Sequence, residues 1–445
     1  MEALTNLLQG FYGLLTLNNL LAVFTGTAIG TIVGILPGLG PSAAMAILLP
    51  LTLGLGPAGG VIMLSGILFG IQYGGSTTSI LLHIPGEASS VITCIDGYEM
   101  TKRGRAGAAL TAAAIGSFIA STIAFVAITF FALPLARFAM KFGPPEYLAI
   151  GAVGLYVLAN VSSGDTAKNL VMILFGMMLT SIGMDPILGL TRFDFGQGLL
   201  VKGIDYIPVL IGVFGMGEIL DWIIRREENP VTFPKIRLRD LYPTREEWIR
   251  MFPPILRGGV MGFFVGLLPG PGGLTSSYVS YALEKKISKH RAEIGHGAIE
   301  GVAGPESANN AGSVGMMVPL LSLGLPFSAL TAMIMGALMM QGITPGPMFI
   351  VQRPDVFWVI IASFYLGNLV LLLFTLPLVG LFAMVLRVPM WVLMSIVTLL
   401  CCIGTYTVNN ELFRHLVLTY IDCSNRNVVL PNPKKDIRRE IAFFV

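Results

Sequence analysis

Charge is what this chain has least of. No Asp, Glu, Lys or Arg occurs between Glu2 and Glu87, and further uncharged runs cover Ala106–Ala136, Gly258–Leu283, Ser307–Gln352, Val356–Leu386 and Val388–Asn410. Charged residues make up 12% of the 445 and hydrophobic residues 54%, with mean hydropathy +0.78. Average soluble chains carry about 25% charged residues, so the composition excludes an ordinary soluble domain. A spanning helix needs about 20 apolar residues, which gives room for roughly ten crossings plus shorter broken segments.

Other absences narrow the function. The first basic residue is Lys102, so the start lacks the charged region of a cleavable signal peptide and insertion is expected to rely on the first apolar run. Cys94, Cys401, Cys402 and Cys423 show no paired metal-ligand spacing and no disulfide framework. No metal site is expected. The net charge of +3 is spread over loops, which speaks against a nucleic-acid partner. There is no P-loop, no dinucleotide glycine pattern, no His-Glu-x-x-His, no nucleophile elbow and no hydrolase triad spacing. No catalytic residue is assigned and an enzyme is not expected. ATP could act only through another subunit.

What the chain has instead is a stretch that occurs twice. Gly30-Thr-Ile-Val-Gly34-Ile-Leu-Pro37-Gly38-Leu-Gly40 returns as Gly262-Phe-Phe-Val-Gly266-Leu-Leu-Pro269-Gly270-Pro-Gly272, in the frame G-x-x-x-G-x-L-P-G-x-G at a constant offset of 232 residues. Each copy is an apolar run that stops at Pro-Gly and restarts with small and hydroxyl residues: Pro41-Ser42 in one, Thr275-Ser276-Ser277 in the other. Backbone amides freed by a break inside a membrane are tolerated only within protein or against a wet cavity. Matched interrupted segments in two halves of a chain point to a transporter's binding site. The plainer alternative is helix-packing glycine with an incidental Pro kink.

Two further landmarks repeat. Gly75-Ser76…Ile84-Pro85 pairs with Gly312-Ser313…Leu325-Pro326, with a few residues inserted, and Leu133-Pro134-Leu135…Phe138-Ala139-Met140 pairs with Leu376-Pro377-Leu378…Phe382-Ala383-Met384. Three landmarks in one order indicate duplication. Loop charges indicate inversion. Residues 51–58 carry none where the matching Glu284–Arg291 carries Lys285, Lys286, Lys289 and Arg291, and the asymmetry flips at Lys102, Arg103 and Arg105 against Arg353 alone. Arg137 and Lys141, one apparent crossing after Lys102, run against that pattern.

The expected architecture is therefore an all-α polytopic membrane protein of two inverted repeats with broken, re-entrant helices. Residues 1–224 form the first repeat. Residues 225–257, with eight basic side chains, form a cytoplasmic linker. Residues 258–415 form an incomplete second repeat and 416–445 a divergent polar tail. Spanning helices are expected at Asn18–Leu36, Ala106–Leu133, Tyr147–Val161, Asn169–Met184 and Tyr206–Ile224, with an apolar segment at Gly59–Tyr73. A broken hairpin is expected across Gly74–Ile80 and Ile84–Ser90, and a polar loop at Tyr98–Gly107.

Gly38, Gly40, Ser42, Gly270, Gly272 and Ser276 at the breaks are candidates to meet an anion with freed amides and helix N-termini. Ser76, Thr77, Thr78, Asn309 and Asn310 add neutral donors and acceptors suited to a carboxylate or a partly dehydrated Na⁺. For Ser and Thr the alternative is a bond back to the helix. Glu87, Asp96, Glu300 and Glu306 border apolar segments, where an ionisable group is a functional candidate by default, and Glu87 and Glu306 sit in corresponding broken regions. With Ser79 and Ser313 these two are the candidates for ion coupling. His83 reads as a hairpin residue. The residues thus support an ion-coupled secondary transporter, with a passive anion channel and a membrane-embedded enzyme as alternatives.

The motif set resembles the large permease subunit of the tripartite tricarboxylate transporters. The resemblance rests on Gly34-x-Leu-Pro-Gly-Leu-Gly-Pro-Ser, Tyr73-Gly-Gly-Ser-Thr-Thr-Ser-Ile-Leu, Pro85-Gly-Glu-Ala-Ser-Ser, Asp96-Gly-Tyr…Arg103-Gly-Arg-Ala-Gly and Phe142-Gly-Pro-Pro-Glu-Tyr. It continues with Leu268-Pro-Gly-Pro-Gly-Gly, Tyr281-Ala-Leu-Glu-Lys, Gly297-x-Ile-Glu-Gly-Val-Ala-x-Pro-Glu-Ser-Ala-Asn-Asn-Ala and Gly342-Ile-x-Pro-Gly-Pro. It covers about residues 1–415. Beyond Val408-Asn-Asn-Glu-Leu-Phe, family members continue with hydrophobic helices, whereas Asp422–Arg439 here is polar. The resemblance implies uptake of citrate, tartrate or related carboxylates across a bacterial inner membrane by a multi-pass permease with no bound cofactor. It also implies a periplasmic substrate-binding protein and a small membrane subunit as partners, membrane lipid around the chain, and Na⁺ or H⁺ as the coupling ion.

Overall fold

The computed structural model describes residues 2–35, 41–161, 165–185, 190–197 and 241–375, with scattered positions between 200 and 209 and between 377 and 399. Its helices are α1 (Glu2–Leu14), α2 (Leu17–Ile35), α3 (Pro41–Leu48), α4 (Gly56–Leu82), α5 (Val91–Lys102), α6 (Ala106–Ala139), α7 (Pro144–Val161) and α8 (Thr166–Thr180). After the linker come α9 (Arg245–Gly266), α10 (Gly272–Ile287), α11 (Glu300–Gly315), α12 (Met317–Leu323), α13 (Ala329–Met340), α14 (Pro347–Gln352) and α15 (Pro354–Thr375). Three-ten turns occupy Leu49–Leu55 and Ala88–Ser90, and one two-residue hairpin pairs Gly183–Met184 with Thr191–Arg192. Helices dominate because a chain in lipid must satisfy its backbone groups within each segment. Four described helices are long and apolar enough to cross a membrane: Leu17–Ile35, Gly56–Leu82, Ala106–Ala139 and Pro354–Phe374.

The core is α4, buried over nearly all its length. It lies against α2 so closely that a methyl group on Gly26, Gly30 or Gly34 would strike the backbone at Met63, Ile67 or Ile71. The contacts climb both helices together, so α2 and α4 run parallel. The same ladder recurs in the second part of the chain. Gly258, Gly262 and Gly266, each 232 residues after its counterpart, meet Gly304, Ala308 and Gly312 on α11, each 241 residues after its own. Where lipid removes the hydrophobic drive between helices, small residues that admit a neighbouring backbone hold them together.

The partner offset of 241 extends beyond the ladder. His83 and Gly324 both end their helices in the left-handed conformation. Glu87 with Ser90, and Ser328 with Thr331, both form capping boxes. The expected insertion between Ser76 and Ile84 is therefore not seen in the packing. Ile84-Pro85 matches Leu325-Pro326 without one, and the residue standing where Ser313 stands is Gln72, one helical turn before Ser76.

Two further expectations are corrected. Of the expected hairpin across Gly74–Ile80 and Ile84–Ser90, the first arm continues α4 unbroken, with Gly70 and Gly74 packed against the backbone of Thr27, Thr31 and Gly34. The break falls at His83. There the chain turns back until Gly86 lies against Gly75 and Gly34, and α5 then climbs beside the end of α4. Tyr98–Lys102, expected in a loop, is the last turn of α5.

The expected helices near Asn18–Leu36, Tyr147–Val161 and Asn169–Met184 match α2, α7 and α8, and α6 runs on from Ala106 through Pro134 to Ala139. Tyr206–Ile224 and the tail from 416 lie outside the described residues. The helix carrying the second break starts at Arg245, where Thr244 and Glu247 cap each other. At that end it is tied down by ion pairs: Arg105–Glu247, Arg250–Glu300, Arg250–Glu293 and Arg257–Glu284. In the exposed Glu293, the Arg250 guanidinium holds the carboxyl below its ordinary range.

Across the middle, Gln72 meets Ser313 while Ser76 meets Glu306, so α4 and α11 run antiparallel. The same holds for α6 and α15, where Thr129 meets Tyr365 and Phe118 meets Asn368.

Candidate functional site

Two carboxylates lie buried where α4, α5 and α11 converge. Glu306, 1% exposed, is in α11 just after Pro305. Its Oε2 accepts from Ser76 Oγ at 2.5 Å and its Oε1 from Thr93 Oγ1 on α5. Glu87, 7% exposed, begins the Ala88–Ser90 turn after the chain has turned back at His83. Its Oε1 accepts from Asn309 Nδ2 at 3.0 Å and from Ser89 Oγ. Among the described residues no Lys, Arg or His pairs with either. An unpaired buried charge is costly, so these groups call for a proton, a cation, or further donors.

Around them the helices supply neutral oxygen. Asn310 Nδ2 donates to Ser117 Oγ on α6 at 2.7 Å and to the Glu306 carbonyl at 3.1 Å. Ser79 and Ser90 bond each other at 2.8 Å. Asn309 Oδ1 and Ser313 Oγ both face the bare Cα of Gly273, where a methyl group would lie 2.6 and 2.8 Å from them. Gln72 Oε1, Asn309 Oδ1, Asn310 Oδ1 and Ser307 Oγ are buried with no partner among the described residues. Buried polar atoms are almost always partnered, and a free amide oxygen on Asn309, whose nitrogen donates to Glu87, is chemistry suited to a cation beside the carboxylate.

The break regions divide. Gly38 and Gly40 lie outside the described residues, and Ser42 is half-buried at the start of α3. At the second break Gly270 adopts φ +130°, and α10 restarts at Gly272 behind Pro271. Ser276 spends its hydroxyl on the Gly272 carbonyl at 2.5 Å, with the Gly262 carbonyl at 3.3 Å. Thr77 and Thr78 likewise bond back to the carbonyls of Tyr73 and Gly75. Of the expected residues, then, Ser76, Asn309 and Ser313 join Glu87 and Glu306 in one cluster. Asn310 borders it, and Thr77, Thr78 and Ser276 bond to their own helices. Gln72, Thr93 and Gly273 belong to the cluster, with Ser117 beside Asn310 at its border, and none of the four was expected. Gln72 alone carried a signal, as the lone amide in the apolar run Gly59–Tyr73.

The described residues thus define a helical, multi-pass type of membrane protein with an acidic, hydroxyl-rich centre. The comparisons name it more closely: residues 20–421 match the tripartite tricarboxylate transporter TctA family, and the chain belongs to that family. It is the large subunit of a tripartite system, which implies a binding protein and a small subunit as its partners. A relative from Agrobacterium vitis, described as an uncharacterized 52.8 kDa protein in TAR-I ttuC' 3'region, is 45% identical over 93% of this chain and 82% of its own length. A second from the same organism, an uncharacterized protein in TAR-II ttuC' 3'region, is 49% identical over 34% of this chain and 63% of its own. No solved structure matches.

Proposed function

We propose that this subunit carries a small carboxylate, such as citrate, tartrate or a related di- or tricarboxylate, together with Na⁺ or H⁺. The observation that carries this reading is the pair of buried carboxylates, Glu87 and Glu306, with no cationic partner among the described residues and with the free amide oxygen of Asn309 beside Glu87. A coupling ion neutralises that centre. The substrate's own charge is met by backbone amides at the breaks (Gly38, Gly40, Gly270, Gly272), by Ser42, Asn309 and Asn310, and by Ser76, Thr77, Thr78 and Ser276 once their hydroxyls release their present acceptors. Glu87, Glu306, Ser79 and Ser313 serve the ion.

Two inverted repeats divide the work. Supporting this are the antiparallel run of α4 against α11 and the glycine ladders at constant offsets. Most loop charge agrees. Lys102, Arg103 and Arg105 lie at the end of α6 that is tied to α9, and Arg137 and Lys141 at its far end are the exception. The basic end is cytoplasmic, the membrane is the bacterial inner membrane, and a periplasmic binding protein delivers substrate to the other face. Moving one repeat against the other exposes the centre alternately.

The test is uptake into proteoliposomes of radiolabelled citrate and tartrate under imposed Na⁺ and H⁺ gradients, with counterflow. Accumulation above the external concentration, driven by one gradient, supports the reading. Flux that only equilibrates the solute identifies a passive channel and overturns it.

A further inference from the structure

Asp96 lies outside the carboxylate pair, on α5, one turn from the Thr93 that donates to Glu306. It is fully buried, and its partners all come from residues 281–298, in the second half of the chain. Asp96 Oδ1 accepts from the backbone amides of Gly295 at 2.9 Å, Gly297 at 2.7 Å and Ala298 at 2.9 Å. Oδ2 accepts from the Gly295 amide at 3.0 Å and from the Tyr281 hydroxyl at 2.9 Å. Gly295 and Gly297, at φ +100° and +92°, turn those amides inward, and Gly301 is bare where a methyl group would strike the carboxylate. Four donors on one anion make a strong, specific tie. It joins α5 to residues 288–299, the segment that leads straight into α11 and so sets the position of Glu306 and Asn309. Arg250 and Arg257 reinforce the same end through Glu300, Glu293 and Glu284.

The corresponding seam in the other half is apolar. At the offsets established above, Asp96 corresponds to Ala337 and Tyr281 to Leu49, both fully buried, where α13 packs on the Leu49–Leu55 turn. One end of the fold is therefore closed by a polar clasp and the other by greasy contact. A polar clasp can be broken and remade with water taking over its hydrogen bonds, at modest net cost.

We propose that Asp96 is the latch of the gate on the basic face: it holds residues 288–299 and the start of α11 shut over the carboxylates, and every transport cycle opens it. Asp96 is thus a positioning residue for transport. This rests on the transporter reading above. Weakening the latch shifts the population toward the state open to the basic face, and apparent affinity from each face changes with the fraction of protein open to it.

The test uses the full chain with its four cysteines replaced and Ser280→Cys introduced. Ser280 is buried at the α10–α11 seam beneath the clasp. Labelling by a membrane-impermeant maleimide from the basic face reads the gate. Asp96→Asn replaces an acceptor oxygen by an amide that faces N–H donors. It is expected to raise the labelling rate by about tenfold or more. Gly301→Ala, which presses a methyl group on the carboxylate, and Tyr281→Phe, which removes one donor, shift it in the same direction by less. In transport, KM measured from the basic face falls in Asp96→Asn while KM from the opposite face rises. A merely structural residue would not move the two in opposite senses.

Should Asp96→Asn fail to reach the membrane, the two milder variants decide. Labelling at the parent rate in variants present at parental abundance overturns the latch. A raised labelling rate in a protein that accumulates neither citrate nor tartrate upholds the latch and counts against the substrate reading instead.

Discussion

Ser76 donates a hydrogen bond of 2.5 Å to Glu306 across 230 residues of sequence, one partner from each half of the chain. Hydrogen bonds to charged groups contribute about 1.5–3 kcal/mol, so this one is both a tie between halves and a support for the carboxylate. Ser76→Ala is expected to lower stability by about 1–2 kcal/mol and to weaken ion-dependent uptake. A double-mutant cycle with Glu306→Gln, read by thermal unfolding in detergent, should return a coupling above about 0.5 kcal/mol. Additive effects would remove the tie.

Glu306→Gln and Glu87→Gln keep the shape of each side chain and remove its charge. Each is expected to cut concentrative uptake by about tenfold or more. Exchange of internal for external substrate should fall much less, since exchange does not need the ion to leave. Proteoliposome uptake and counterflow on the same preparation separate the two. Equal loss of both would assign the residues to substrate binding or folding instead.

The glycine ladders carry their own prediction. Gly30→Val and Gly262→Val drive a branched side chain into the carbonyls of Ile67 and Ala308. Overpacking of this kind costs about 1–3 kcal/mol or more, so both variants should melt earlier and be less abundant. Gly38→Val and Gly270→Val are expected to differ, reaching the membrane yet losing uptake, because both fall in the Pro-Gly breaks of the sequence. At Gly270, φ +130° admits few side chains. Near-normal uptake in both would remove the breaks from the site.

These groups differed in how plainly the sequence announced them. Glu87 and Glu306 were legible because an ionisable residue within a long apolar run has few ordinary explanations. The G-x-x-x-G spacing announced the ladders, since one backbone needs a bare Cα once per turn to approach another. Thr93 and Ser117 were not legible. A hydroxyl on a membrane helix looks the same whether it bonds back to its own carbonyl, as Thr77 does, or reaches another helix, as Thr93 does. The turn at His83 falls within the expected hairpin, but the helical first arm Gly74–Ile80 was missed for a related reason. Gly74-Gly75 looks like a hinge, yet its bareness serves packing, and the hinge is a histidine in the left-handed conformation. Asp96 with Gly295 and Gly297 is a contact across about two hundred residues that no local pattern encodes.

Orientation has a direct check. Cysteines at Gly54 and Lys289, both exposed in segments that correspond between the halves, are expected to react with impermeant reagent from opposite faces of the membrane. Reaction from the same face would overturn the inverted arrangement and with it the assignment of the basic face.

The central claim is that carboxylate and cation bind together at Glu87, Glu306 and Asn309, so that each strengthens the other. Linkage requires the same factor in both directions, and a coupling of about 1–3 kcal/mol corresponds to a change of about 5–150-fold. Calorimetric titration of the purified protein with citrate or tartrate, with and without Na⁺ and at two pH values, measures it. The account predicts that affinity rises within that range with one of the two ions, and that Asn309→Ala diminishes the rise more than it lowers the melting temperature. Carboxylate affinity indifferent to both Na⁺ and pH would contradict it.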